Sequence, residues 1–314
     1  MSIECIQLTD PKTGSSAKIL VGFGFNCFEF RVQRDGKPVD VLWAAPGFEG
    51  GGERASGSGI PILFPFPGRI SGTEYLWEGQ RYSLEEGDGQ GNAIHGFVLN
   101  RPWRVLEQSE HEVTGQFKAS VDDPQLLQCW PADFCITVTY QLDGNALITR
   151  IRAENPDDKP LPCGLGTHPY FRLPLGGSRA EDCLIRLPVT HQWDLADMLP
   201  TGNRVELLEA TAYQDGVRFE SVTLDNVFSG LQFDGNWCVA EIKDPGADAR
   251  LTLRFDNTFR ECVVYTPPHR EAICIEPYTC VAGAFDLITQ GIEAGVRLLK
   301  PGEFFDAVIE MCVE

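Results

Sequence analysis

The chain has 314 residues, 26 Lys and Arg against 45 Asp and Glu, and a formal net charge of −19 at pH 7. That balance argues against a basic face for nucleic acid or an anionic membrane, and no apolar run approaches the ~18 residues that span a bilayer. The opening Met1-Ser2-Ile3-Glu4-Cys5 lacks a charged-then-apolar signal segment, so a cytoplasmic protein is expected. The eleven cysteines are odd in number and scattered, with no C-x-x-C pair, so neither a zinc ribbon nor a redox motif is written here. They are expected to be mostly reduced, buried, small hydrophobes.

In chain order, the first clear element is an apolar run, Ala17-Lys18-Ile19-Leu20-Val21, that reads as a strand. A glycine cluster from Gly50 to Gly59 follows and is expected to lead straight into an apolar strand. The next stretch, Gly59-Ile60-Pro61-Ile62-Leu63-Phe64-Pro65-Phe66-Pro67-Gly68-Arg69-Ile70, is apolar but broken by three prolines. It cannot be a central strand, because each proline lacks a ladder donor. It delivers Arg69, whose guanidinium could clamp a vicinal diol or stand in a structural ion pair.

Gly87-Asp88-Gly89-Gln90-Gly91 lacks the strand-turn-helix setting and the lysine of a phosphate loop. Asn92-Ala93-Ile94-His95-Gly96-Phe97 then places a histidine between apolar residues. The stretch Asp123–Cys129 reads as a short helix after Asp122. Cys135–Tyr140 and Ala146–Ala153 read as a hairpin, since Asp143-Gly144-Asn145 suits left-handed turn geometry. In Gly164-Leu165-Gly166-Thr167-His168-Pro169-Tyr170-Phe171, the proline holds His168 out of the helical region and two aromatics could floor a pocket.

Further on, Leu251, Leu253 and Phe255 alternate with Thr252 and Arg254 as a half-buried strand does. Ala272-Ile273-Cys274-Ile275-Glu276-Pro277-Tyr278-Thr279 closes an apolar strand with a glutamate. Burying that carboxylate is costly without a task or a partner, and desolvation would raise its pKa into the range of a useful base or acid. A last short helix is expected over Phe285–Ile288. No window of eleven or more residues carries a sustained helical stripe, and no repeat or linker divides the chain. The expectation is an all-β protein, a large antiparallel β-sandwich with a few short helices, in a single domain over residues 1–314. A metal reading would gather His95, His168 and a carboxylate, but no ligand pair has short metal-site spacing, so no metal and no cofactor are expected.

Taken together, these segments resemble the aldose 1-epimerase (galactose mutarotase) family. The resemblance rests on the ordered set ending in Arg69, then Asn92–Gly96, Thr167–Phe171 and Ile275–Tyr278. Leu199-Pro200-Thr201-Gly202, Leu224-Asp225-Asn226-Val227-Phe228 and Leu299-Lys300-Pro301-Gly302-Glu303 also match. It implies a large β-sandwich with an open sugar cleft, Glu276 as base and His168 as acid. His95, Arg69 and Asp225 would grip ring and hydroxyl oxygens, and Tyr170 would shape the floor. The only partner implied is a small-molecule sugar. Ile94-His95-Gly96-Phe97 departs from the glycine-doubled motif of classical galactose mutarotases, which suggests a divergent branch. A carboxylate and an imidazolium suit proton removal from the C1 hydroxyl and delivery to the ring oxygen. Arg101, Arg104 and Arg172 form no obvious basic cluster, which favours a free hexose over a hexose 6-phosphate. The competing readings are a non-catalytic sugar-binding module and a glycosidase, the latter needing paired carboxyls.

Overall fold

The computed structural model describes residues 3–177 and 179–314. Two large antiparallel sheets are built by side-chain alternation of the kind seen in Ala249–Asp256, where Leu251, Leu253 and Phe255 are buried and Thr252 and Arg254 face outward. That strand lies inside a ten-stranded sheet, between Trp237–Asp244 and Phe304–Val313. The expected hairpin is present: Cys135–Asp143 pairs with Ala146–Glu154 along its whole length, and Gly144 takes the left-handed turn at φ 61°.

The second sheet has eight strands. In spatial order they are Leu199–Glu206, His191–Ala196, Asp225–Ser229, Glu261–Tyr265, Ala272–Tyr278, Gly166–Thr167 and Ile62–Leu63, with Tyr170–Arg172 also pairing to Ala272–Tyr278. A four-stranded sheet formed by residues 5–40 adds Ile19 and Phe30 to the same core. Between the sheets pack Ile136, Val138, Leu253 and Ile309 from one side and Cys262, Val264, Ile273 and Ile275 from the other. Period-two geometry then forces Val263, Tyr265, Cys274, Glu276 and Tyr278 onto the opposite face of the eight-stranded sheet. That face carries the cleft.

The proline-broken stretch behaves as its missing donors require. It contributes only Ile62–Leu63, at the end of the eight-stranded sheet, and Arg69–Ile70, paired with Ala93–Ile94. The glycine cluster does not lead straight into a strand. It forms two short 3₁₀ turns, and Ile60 makes only an isolated bridge to Cys27. Gly59 explains the interruption: it sits at φ 64°, and a Cβ there would lie 2.6 Å from the Phe28 backbone. The two short helices fall where expected, as a 3₁₀ helix over Pro124–Gln128 and an α-helix over Ala284–Thr289. All eleven cysteines are free and eight are buried. Among the described residues, no helix is long and apolar enough to cross a membrane.

Candidate active site

The register of the eight-stranded sheet positions the site. Gly166 lies opposite Tyr278 and Tyr170 lies opposite Cys274, so the intervening His168 falls opposite Glu276. Asp225, Tyr265, Cys274 and Tyr170 form a row across four neighbouring strands, and Val227, Val263 and Glu276 form the next. Gly166 is needed for the approach of Tyr278, because a Cβ there would sit 2.6 Å from its ring. All six residues singled out from the sequence, Arg69, His95, His168, Tyr170, Asp225 and Glu276, line one cavity of about 200 Å³.

Glu276 and His168 are both buried, with Glu276 Oε1 3.4 Å from His168 Nε2. The Tyr278 hydroxyl donates to Glu276 Oε2 at 2.8 Å, while Oε1 accepts no hydrogen bond among the described residues. Burial raises the Glu276 carboxyl well above its ordinary value; the Tyr278 bond opposes this and the charge of Asp225 adds to it. Burial also lowers the His168 imidazole to about 3. Burial thus works against the charge on each member of the pair, the carboxylate and the imidazolium alike. Desolvation favours the neutral acid and the neutral imidazole, which differ from the ion pair only by one proton moved across 3.4 Å.

Tyr170 stacks on His168 with ring centroids 4.9 Å apart and planes within 7°, and its hydroxyl donates to the Ser56 carbonyl. It thus fixes the imidazole plane, with its own polar atom engaged elsewhere. His95 packs edge-on to His168 at 5.6 Å, and its buried Nδ1 has no hydrogen-bond partner among the described residues. Its backbone is left-handed at φ 67°, uncommon for a non-glycine residue and a form of strain concentrated at functional positions. Gly96, at φ 71°, follows because a Cβ there would meet the Phe64 carbonyl oxygen at 2.1 Å.

Arg69 lines the cavity and donates from Nε to Asp88 at 2.9 Å, the structural ion pair that is one of its two sequence readings. Burial would raise the Asp88 carboxyl, but hydrogen bonds from Asn92, Gln90 and Arg69 hold it below the usual carboxylate range. Asp225 stands at the exposed rim, its carboxyl raised by partial desolvation against the pull of Arg69. Arg101 and Arg104 pair with Asp123 and Asp122, and Arg172 lies outside this cavity. His111 is exposed, His191 bonds Thr190, and His269 stacks on Trp43.

Three further residues that line the cavity were not assigned from the sequence. Tyr278 was legible, being two residues from Glu276 and hence on the same strand face. Tyr265 follows from register alone, opposite Asp225 and Cys274. Arg54, in a glycine-rich stretch without periodicity, gave no signal, yet it lines the cavity and donates to the Gly87 carbonyl at 3.4 Å. Cys274 adds a thiol to His168 and Glu276, with one ligand atom from each lying within 4.8 Å of the others. Burial raises that thiol well above its ordinary pKa, which disfavours the thiolate a metal would need.

The all-β sandwich thus carries a buried carboxyl–imidazole pair in a cleft that Arg69, His95, Tyr170 and Asp225 also line. The family model described as aldose 1-epimerase matches residues 4–312, and the chain belongs to that family. Its fold is that of a galactose mutarotase-like protein from Clostridium acetobutylicum, at TM-score 0.86 and 22% identity, covering 100% of this chain and 99% of that one. It is also similar to a galactose 1-epimerase from Lactobacillus acidophilus, at TM-score 0.74 and 21% identity, covering 100% and 99%. Among curated sequences it is 24% identical over 248 residues to the Escherichia coli protein YihR, covering 77% of this chain and 75% of that protein.

Proposed function

We propose that the chain is a mutarotase acting on a free aldose, with Glu276 and His168 as its catalytic acid–base pair. The observation that carries this reading is the buried pair itself, 3.4 Å apart and open to a cleft that Arg69, His95 and Asp225 also line. Mutarotation needs one proton taken from the C1 hydroxyl and one delivered to the ring oxygen. A pair holding a single proton supplies both. Moving the Glu276 proton to His168 creates a carboxylate that takes the C1 proton and an imidazolium that protonates the ring oxygen. The ring opens to the aldehyde, C1–C2 rotates, and reclosure on the other carbonyl face runs the same transfers in reverse. Each group supplies a rate factor on the order of 10²–10⁴.

Sugar hydroxyls entering the cleft provide the hydrogen bonds that burial has removed from Glu276 Oε1 and His95 Nδ1. Arg69 and Asp225, as donor and acceptor, suit neighbouring hydroxyls. The engagement of Arg69, Arg101 and Arg104 by carboxylates supports a neutral substrate. The presence of a second guanidinium on the cleft wall, Arg54, is the observation that favours a hexose 6-phosphate instead.

The test is anomer exchange by NMR or polarimetry with glucose, galactose and glucose 6-phosphate, using wild type, Glu276→Gln and His168→Asn. Catalysis by wild type, lost in both folded variants, is the expected result. Sugar binding without faster exchange would sink the enzyme reading in favour of a sugar-binding module.

A further inference from the structure

Beside the acid–base pair lies a second chamber of about 260 Å³, larger than the cleft of about 200 Å³ and sharing Arg54, Ser56, Ile94 and His95 as a common wall. We propose that this chamber is a subsite for a second sugar unit, so that the substrate is a reducing oligosaccharide with its free aldose in the cleft. The inference rests on the mutarotase reading and specifies its substrate class.

Three features support it. The first is size: if the smaller cleft holds one sugar ring, the chamber has room for another. The second is the lining, where Phe97, Leu84 and Leu126 are apolar and buried, while Glu85, Asn100 and Gln125 present hydrogen-bonding groups at an exposed rim. Apolar surface with a few polar groups is the usual composition of a small-molecule site, and it matches a ring with C–H faces and hydroxyl edges. The third is adjacency: Arg54, Ser56, Ile94 and His95 line both spaces, so the chamber adjoins the cleft directly.

Charge selects the occupant. The chamber carries Glu85, Glu86 and Asp123 against Arg54 and Arg101, and Arg101 Nε is already bonded to Asp123 at 2.6 Å. Its negative excess repels a phosphate and tolerates neutral hydroxyls. The exposed rim also lets a longer chain continue into solvent.

The experiment compares anomer exchange of glucose and galactose with that of reducing disaccharides of both, including 1,4- and 1,6-linked members. Wild type is set beside Gln125→Trp, which fills the chamber, and Leu127→Trp, which places the same bulk on the exposed side of the same turn. For at least one disaccharide, the expected kcat/KM exceeds that of the matching monosaccharide by about tenfold or more. Gln125→Trp removes that advantage and Leu127→Trp keeps it. Equal kcat/KM for mono- and disaccharides in wild type, or equal losses on both in Gln125→Trp, would overturn the subsite and leave the mutarotase reading standing. Failure of wild type to accelerate any of these sugars would instead sink the mutarotase reading, and the subsite with it.

Discussion

Two buried glutamates sit on the same face of the same sheet, in different surroundings. Glu261 lies opposite Tyr278 in the ladder, and Glu276 lies opposite Val263, one alternation step along the same strand pair. Their exposures are 7% and 1%, so burial alone does not separate them. Burial pushes Glu261 up to about 7 and Glu276 well above its ordinary value. The partners differ. Glu261 accepts the Trp193 indole N–H at 3.0 Å, within the apolar cluster that Trp193 shares with Val227 and Val263. Glu276 leaves Oε1 without a hydrogen bond among the described residues, facing His168 in an open cleft. A perturbed carboxyl therefore marks a candidate, and an adjacent imidazole together with open space beside it is what separates the two.

The sharpest way to break this comparison is to neutralise each carboxyl in turn. Glu276→Gln should cost anomer exchange on the order of 10²–10⁴-fold, with His168→Asn in the same range, whereas Glu261→Gln should leave it within about threefold. Polarimetric initial rates decide the matter. A comparable loss in Glu261→Gln would mean that proton transfer is not localised at the cleft pair.

The second contrast is in stability against pH. An unfolded glutamate ionises near 4.5, while folded Glu261 holds its proton to about 7. Between those values the native state binds more protons than the unfolded state, so stability falls as pH rises through the window and levels off above it. The loss is about 3 kcal/mol at most. Glu261→Gln, which can still accept from Trp193, removes it: the variant should match wild type near pH 4 and exceed it near pH 8. Urea unfolding at those two pH values checks this. A stability difference that does not change with pH would show that Glu261 is not held protonated by the fold.

What the sequence revealed and what it hid follow from the same physics. Arg250–Phe255 and the Asp143-Gly144-Asn145 turn were readable because strand alternation and a left-handed glycine are local properties. Glu276 and His168 stood out as polar residues bounded by prolines and apolar neighbours, and sheet register then placed them opposite each other. Asp88 was legible only as part of a glycine-rich loop, since its role depends on Arg69 arriving from 19 residues away. The effect of burial on the charges of the pair was hidden because desolvation is a property of the packed cleft. The second chamber was hidden for a related reason: residues 84–101 and 123–129 meet only when the chain is folded.

The smallest effect concerns Tyr278, which joins the two glutamates. Its hydroxyl bonds Glu276 Oε2, and its backbone lies opposite Glu261. Because that hydrogen bond stabilises the ionised carboxylate, it holds Glu276 down against burial. Burial lowers the proton affinity of His168 and raises that of Glu276, which widens the pH range over which the pair holds a single proton. On the proposed mechanism, loss of that proton sets the alkaline limb of kcat/KM. Tyr278→Phe deletes the donor, so Glu276 should rise further and the alkaline limb should move to higher pH. The rate at neutral pH should fall about tenfold, the value of roughly one hydrogen bond to a charged group. A merely structural role would lower the rate at every pH without moving the limb. That outcome would assign Tyr278 to packing and leave burial and the charge of Asp225 to set the proton affinity of Glu276.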